Sequence, residues 1–249
     1  MTKGVGHTCL NCGIDVSGNF CPACGQRADT SRFTWHEIWH NATHALTHMD
    51  SGVGYSLKQL AMRPGHAIRE YLQGRRKPYF NAFTMMLTFT ALCSILYVHY
   101  DVETQLAGLR LNTFEESNPT IVHKFFAIRS LYLILLCALG DWAMFRDRGY
   151  SMPEMVIFNT YQFSFIAAAQ VLCVPLFVWA DHDGWASVAK GGFILAAVAY
   201  MLWVRIQFFQ AGRNAWTILR IIALLGLIYT IVALTGRFVV RPILLNMHH

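Results

Sequence analysis

The chain has 249 residues and a net charge of +6, and its composition is 55% hydrophobic but only 14% charged. That balance excludes an ordinary soluble globular domain. The first twenty residues lack an apolar core, so we expect no cleavable signal peptide. The positive charge is concentrated beside apolar segments, where a membrane protein needs it, so we do not expect a nucleic-acid partner.

Two pairs of cysteines mark the N-terminal segment, residues 1–30. Each pair has C-x2-C spacing and is followed by a glycine, and such pairs can fold a short loop around one tetrahedral metal ion. We predict a zinc ribbon or knuckle whose four thiolates close the coordination sphere and leave no position for a water nucleophile. An iron site or an unmetallated redox pair is the alternative. The predicted ligands are Cys9, Cys12, Cys21 and Cys24.

Residues 31–78 are predicted to form amphipathic helices that lie in the membrane interface on the cytoplasmic side. Thr34 and Glu37 have the spacing of a capping box, so a helix should begin there and run to about Met49. Its tryptophans share one face and its histidines the other, as in a helix that lies along a membrane surface.

The histidines of this helix form a ladder with a spacing of four residues. Residues four apart lie on one helix face, and an adjacent histidine pair can chelate a metal ion or take part in acid–base chemistry. Successive members rotate by about 40°, so all four cannot bind one ion. The alternatives are a structural interfacial helix and contact with lipid headgroups. The candidate residues are His36, His40, His44 and His48, with Glu37 and Asp50 as acidic partners.

A basic segment precedes the first apolar stretch. Ser56 and Gln59 indicate a second capping box, Pro64 should interrupt that helix, and Gly74 should end the next one. Free helix amides and arginine forks suit phosphate, which makes the cations a candidate phosphate or lipid-binding site. The alternative is a positive collar that only anchors the first span. The cations are Arg63, Arg69, Arg75, Arg76 and Lys77.

Residues 79–249 predict a helical membrane domain with about five spans. A spanning helix needs roughly 20 mostly apolar residues, and the stretches that qualify are 80–100, 125–145, 155–179, 189–210 and 217–236. Cys93, Cys137 and Cys173 lie inside these stretches and should behave as small hydrophobic side chains. We therefore expect an all-α integral membrane protein with a small N-terminal zinc ribbon.

Few ionisable groups lie within the predicted spans. Arg129, Asp141 and Arg205 are close to predicted ends, where a side chain can snorkel to the membrane surface. The third span carries a polar stripe, which favours hydrogen bonding between helices over a lined pathway. The stripe consists of Asn159, Gln162 and Gln170.

The distribution of charge predicts an orientation in the membrane. With five spans, most of the 20 lysines and arginines fall on the side of the N-terminus, as the positive-inside rule requires for a cytoplasmic N-terminus. Zinc thiolates need a reducing compartment and give the same orientation. We expect a multi-pass protein of a bacterial inner membrane.

Four stretches carry a resemblance to a known family: Cys9–Gly13, Phe20–Gln26, His44–Gly52 and Leu60–Arg76. They resemble a family of bacterial membrane proteins that have an N-terminal zinc ribbon and are catalogued as a domain of unknown function. The resemblance covers roughly residues 9–100. In that family lysine often stands at the position of Arg75, and threonine at that of Ser56. The resemblance implies the ribbon and the membrane location, and no activity.

Two functions from different classes fit this sequence. The first is a membrane-embedded scaffold or accessory protein, whose ribbon docks a protein partner and whose basic segment binds anionic headgroups of membrane lipids. The second is an enzyme or transporter acting on a phosphate-bearing lipid or lipid carrier, with arginines on the phosphate and histidines in acid–base roles. Carboxylates near the histidines would favour the second, and only Glu37, Asp50 and Glu70 are available. The sequence therefore favours the scaffold.

Overall fold

The computed structural model describes residues 7–30, 32–38, 52–100, 126–210 and 214–235. Within these ranges a two-stranded ribbon precedes a helical bundle, so the predicted all-α class is confirmed. Strands β1 (His7–Thr8) and β2 (Asp15–Val16) pair antiparallel. The α-helices are α1 (Val53–Met62), α2 (Pro64–Leu72), α3 (Ala82–His99), α4 (Phe126–Met144), α5 (Met152–His182), α6 (Ala186–Phe208) and α7 (Ala215–Thr235). Residues 35–38 are also helical, and Arg146–Arg148 form a 3-10 helix.

Helix α5 is the centre of the bundle. It packs against α3, α4 and α6 and also contacts the short helices α1 and α2, whereas α7 packs against α4 and α6. Residues 153–162 of α5 are all buried. The helix begins at a capping motif in which the Ser151 amide donates to the Glu154 carboxylate (2.7 Å).

In the part of the chain that the structure describes, three helices are long and apolar enough to cross a membrane, namely α5, α6 and α7. Helix α3 contains a shorter apolar stretch, Ala82–Tyr97, and α4 is 19 residues long. All five helices coincide to within a few residues with the predicted apolar stretches. Large aliphatic side chains face outward from the bundle, and Leu172 is 80% and Leu195 72% exposed. Such exposed apolar surface is expected where helices face lipid.

The helix ends nearest the ribbon form one surface, which we term the ribbon side. Helices α3 and α5 begin there, and α4 and α6 end there. The rings of Phe145 after α4 and Phe209 after α6 stack with centroids 4.0 Å apart. Arg32, which follows the ribbon, pairs with Glu154 in the first turn of α5 (2.8 Å). The ribbon is thus fixed directly to the bundle.

The start of α1 differs from the sequence prediction. The capping box predicted at Ser56 is wrong, because α1 begins at Val53 after Gly52 and Ser56 is buried inside the helix. The Ser56 hydroxyl instead accepts a hydrogen bond from the amide of Phe80 (2.7 Å), just before α3. The predicted interruption at Pro64 is confirmed, since Pro64 stands in the first turn of a separate helix, α2.

Helix α2 meets the end of α6 at backbone contact distance. A Cβ atom at Gly65 would lie 2.4 Å from the amide nitrogen of Phe208, so only glycine fits there. The Gly65 amide donates to the side chain of Gln207 (3.1 Å). From α6, the Tyr200 hydroxyl donates to the carbonyl of Leu60 in α1 (3.1 Å). The break between α1 and α2 is therefore held against α6 by backbone contacts.

Candidate metal centre

Two loops of the same design bring the first four cysteines together. In the first loop the Cys9 amide donates to the carbonyl of Ile14 (2.8 Å), and the Gly13 amide donates back to Cys9 (2.9 Å). The second loop repeats both bonds from Cys21, with Gly25 in the glycine position. The two glycines have φ angles of 78° and 70°, a left-handed conformation that favours glycine.

The four sulfur atoms are arranged suitably for one metal ion. They all lie within 4.8 Å of one another. The Sγ atoms of Cys9 and Cys24 are 3.6 Å apart, and those of Cys12 and Cys21 are 3.4 Å apart. A tetrahedral zinc ion with Zn–S bonds of about 2.3 Å would hold its sulfur atoms about 3.8 Å apart. The residues present therefore fit a tetrahedral thiolate site.

Local hydrogen bonds pull the pKa values of these thiols apart. A bond from the Asn11 side chain is the largest of the causes that lower the pKa of Cys24 to about 6. At Cys12 a backbone bond at Ile14 lowers the pKa, but the neighbouring thiols, led by Cys21, outweigh it and raise the pKa to about 12. Closely spaced thiolates repel one another, so a cation is needed for all four to ionise.

The other three cysteines are remote from this cluster. All seven cysteines are free thiols. Cys93 and Cys137 are buried between helices, and the Cys93 thiol donates to the carbonyl of Ala167 (3.3 Å). The prediction that they act as small hydrophobic side chains is confirmed for these two, and Cys173 is partly buried within α5.

One glutamine fastens the ribbon to the basic segment. Gln26 follows the second loop and is buried. Its Nε2 donates to the carbonyl of Gly74 (2.8 Å), and its Oε1 accepts from the amides of Arg76 and Lys77 (both 3.1 Å). Gly74 has φ 105°, and a Cβ there would lie 2.5 Å from Cδ1 of Leu10 in the first loop. The ribbon therefore rests on residues 74–77, which we term the basic turn.

Arg69, one of the cations predicted to bind phosphate, binds the backbone of α6. Its Nη2 donates to the carbonyls of Gln207 (2.6 Å) and Phe208. These carbonyls lie at the C-terminal end of α6, where no further helical turn follows to donate to them, although the Gln207 carbonyl also accepts from the amide of Gln210 (3.3 Å). Arg69 thus acts as a side-chain cap that joins α2 to α6.

Two more of the predicted phosphate-binding cations share a carboxylate. Glu70 pairs with Arg63 (2.6 Å) and Arg75 (3.3 Å), and it also accepts from the hydroxyl of Tyr79 (3.0 Å). Burial acts to lower the pKa of Arg63, but the hydrogen bond and charge of Glu70 prevail and raise it. These cations are therefore engaged within the chain.

Arg76 stacks on the segment that follows the ribbon. Its guanidinium lies 3.7 Å from the ring centroid of Phe33 and 3.8 Å from the Glu37 carboxylate. Phe33 is buried and stacks in turn on Tyr71 of α2 (5.6 Å). Burial lowers the pKa of Arg76, against the opposing charges around it. The stack closes the space between the ribbon and α2.

Most of the histidine ladder lies outside the described residues, namely His40, His44 and His48. The candidate acidic partner Asp50 also lies outside them. His36 is exposed in the helical turn that begins at Trp35. The predicted capping box is confirmed: the Thr34 amide donates to Glu37 (2.9 Å) and the Glu37 amide donates to the Thr34 hydroxyl (3.3 Å). A metal or acid–base role for the ladder stays a prediction.

The sequence analysis missed a buried ion pair between α4 and α6. Asp141 and Arg205 are both fully buried, and Nε and Nη2 of the guanidinium donate to the two carboxylate oxygens (3.0 and 2.9 Å). The remaining N–H groups donate to Gln162 (2.9 Å), Asn159 (3.1 Å) and the Met201 carbonyl (3.3 Å). The snorkelling prediction is therefore wrong for Asp141 and Arg205, because both side chains point into the bundle.

The polar stripe of α5 was the sequence signal for this network. Its predicted role in hydrogen bonding between helices is confirmed, since Asn159 also donates to Asp141 (2.9 Å) and Gln170 donates to the Tyr97 hydroxyl (2.6 Å). The side-chain amides in the sequence do not reveal which charged residues they contact, because those contacts depend on how α4 and α6 pack against α5.

Comparison with known proteins gives a similarity over part of the chain. The family described as "Protein of unknown function (DUF3667)" matches residues 50–93. This stretch contains α1, α2, the basic turn and most of α3, and it excludes the four cysteines. No curated protein and no solved structure shows a significant match to the chain. The similarity thus falls on the segment that joins the ribbon to the bundle.

The buried ion pair generates a prediction about stability. Replacing one partner, as in Asp141→Leu or Arg205→Met, leaves a buried unpaired charge and should reduce the free energy of unfolding by about 3–5 kcal/mol. The loss of unfolding free energy in the double variant should be clearly smaller than the sum of the losses in the two single variants. Equilibrium unfolding of purified protein in detergent micelles measures this free energy for the wild type and all three variants. Arg148→Met, at a half-exposed position on the ribbon side, is the control. Additive losses would show that the two residues do not interact.

Proposed function

We propose that this protein is a membrane-embedded scaffold or accessory protein whose N-terminal ribbon binds a structural zinc ion and docks a protein partner. The observation that carries the proposal is the attachment of the four-cysteine ribbon to the helical bundle through Gln26 and the basic turn. A ribbon fixed in this way keeps one orientation relative to the membrane. A docking platform needs that property.

Zinc is the metal that we assign to the cysteine cluster. Four thiolate sulfurs at tetrahedral spacing suit zinc, and four protein ligands leave no open position for catalysis. The chemistry that the ion supplies is structural, since metal binding contributes folding free energy to small domains of this kind. Asn11 and the loop amides orient the thiolates.

The partners of the basic segment support the scaffold over an enzyme or transporter of phosphate-bearing lipids. Among the described residues, the only cluster of metal-ligating side chains is that of the four cysteines. Arg69 caps α6, Arg76 stacks on Phe33, and Glu70 engages two further arginines. Lys58 and Lys77 remain exposed and give the ribbon side the positive charge that anionic headgroups attract.

The exposed face of the ribbon is the docking surface that we propose. Phe20 is 60% and Ile14 47% exposed. Phe20 borders an open groove whose other walls include Asn19, Arg27 and Asp29. An exposed aromatic side chain beside a polar-rimmed groove is typical of an anchor point for a partner protein.

We further propose that α3 to α7 all cross a bacterial inner membrane, with the N-terminus in the cytoplasm. The packing around α5 supports five spans: α3 runs in the same direction as α5, whereas α4 and α6 run in the opposite direction, so the chain alternates between the two sides of the bundle. The exposed lysines on the ribbon side, together with the thiolate chemistry of the ribbon, support the orientation.

Metal analysis tests the zinc assignment. Purified protein should contain one zinc ion per chain, and the double variant Cys21→Ser with Cys24→Ser should lose it, because two of the four ligands are gone. Cys173→Ser, which lies far from the cluster, is the control and should keep the full metal content. Wild-type zinc content in the double variant would exclude this site.

Reporter fusions test the topology. A reporter that is active only outside the cytoplasm should be active after Glu116, Asp183 and His249, and inactive after Arg148 and Arg213. An inactive fusion at His249 would mean that an even number of spans crosses the membrane.

Copurification tests the docking role. A defined protein should copurify with the wild type from solubilised membranes, and Phe20→Ser should lose it while remaining folded and zinc-loaded. Met62→Ser is the matched control, since Met62 is 65% exposed but lies at the end of α1, away from the ribbon groove. Purification of the wild type without a partner, or an unchanged partner in Phe20→Ser, contradicts the docking role.

A further inference from the structure

The residues that hold the ribbon on the basic turn are built into the two metal-binding loops. Leu10 stands between Cys9 and Cys12, and it packs against Gly74. Gln26 stands two residues after Cys24, and its backbone carbonyl accepts from the Cys21 amide within the second loop. Both contacts with the turn therefore come from the loops whose shape the metal would set.

The ribbon has almost no core apart from its cysteines. Its buried cluster consists of Cys9, Val16 and Cys21, with Cys24 and Ala28 packed against them. A segment this short does not bury enough apolar surface to fix its own loops. Without a metal ion the cysteine sulfurs lose their common ligand, and the loops lose the constraint that positions Leu10 and Gln26.

Lys77 also links the basic turn to the second loop. Its ammonium would lie 3.9 Å from a Cβ at Gly25, the glycine that follows Cys24. A third contact between the ribbon and the turn therefore falls on a loop whose shape the metal would set.

We propose that metal binding by the four cysteines and docking of the ribbon on the basic turn are thermodynamically coupled. The inference rests on the proposed zinc site and goes beyond it, because it makes the ribbon side of the membrane domain responsive to the metal. Coupling is reciprocal: if zinc strengthens docking by some factor, docking strengthens zinc binding by the same factor. Loss of the metal would release the backbone of residues 74–77 from Gln26 and Leu10, while the side chains of Arg75 and Arg76 keep their contacts with Glu70, Glu37 and Phe33.

Hydrogen exchange of the full-length protein measures docking directly. The amides of Arg76 and Lys77 both donate to the Gln26 side chain. The Arg76 amide also donates to the carbonyl of Gly74 (3.0 Å), so exchange of the Lys77 amide is the more direct report on the docked state. Removing zinc with a chelator should speed exchange in a peptide covering residues 75–80, and restoring zinc should slow it again. Gln26→Ala should show the fast exchange even with zinc bound.

Zinc affinity, measured by competition with a chelator of known strength, tests the reciprocal effect. Gln26→Ala should bind zinc about tenfold more weakly, within the range usual for coupled sites. Gly74→Ala should do the same from outside the ribbon, because its Cβ would meet Leu10 and because the φ angle of 105° disfavours alanine, so the turn that the ribbon rests on would change shape. The matched controls are Gln73→Ala, an exposed glutamine beside the turn, and Gly54→Ala, whose Cβ would meet nothing. Both controls should keep the wild-type affinity.

The possible failures are distinguishable. If the wild type binds zinc through its four cysteines, but chelation leaves exchange at residues 75–80 unchanged, the coupling is overturned and the zinc site stands. If Gln26→Ala and Gly74→Ala both bind zinc with the wild-type affinity, the coupling is likewise overturned and the zinc site stands. A wild type that binds no zinc overturns the zinc assignment and the coupling together.

Discussion

The structure depends on satisfying backbone polar groups where the chain leaves helical geometry beside the helical bundle. Such groups are costly when buried without a partner, and side chains from distant parts of the chain bind them here. Gln26 bonds the basic turn, and Arg69 caps the end of α6. Ser56 and Tyr161 bond the amide and the carbonyl of Phe80, both at 2.7 Å. These bonds fix the ribbon, α1 and α2 onto the bundle.

Local patterns predicted the elements of this fold well. The apolar stretches located α3 to α7, because the length and composition of such a stretch are properties of the local sequence. The cysteine spacing located both cysteine loops, since each loop closes on itself within five residues. Pro64 and the Thr34–Glu37 capping box marked helix boundaries through equally local effects.

The roles of charged and polar side chains were beyond the reach of sequence patterns, because their partners are remote along the chain. Arg69 contacts a carbonyl 138 residues away, and Gln26 contacts the basic turn 48 to 51 residues away. Arg205 looked like a snorkelling residue because it stands near a helix end, yet Asp141 on α4 draws it inward. Ser56 fitted a capping motif, but its hydroxyl accepts a hydrogen bond from the Phe80 amide, which only the tertiary structure brings close to it.

The central claim is that the basic segment, residues 63–77, joins the ribbon to the helical bundle. The variant Arg69→Lys tests this claim most directly. Lysine keeps the charge, but its ammonium does not reproduce the position and fixed N–H directions of the guanidinium Nη2, which donates to both carbonyls of α6. The account predicts that the free energy of unfolding in micelles falls by about 1.5–3 kcal/mol. Arg75→Lys, at a side chain 44% exposed, should change it little. Equal stability of Arg69→Lys and the wild type would contradict the claim.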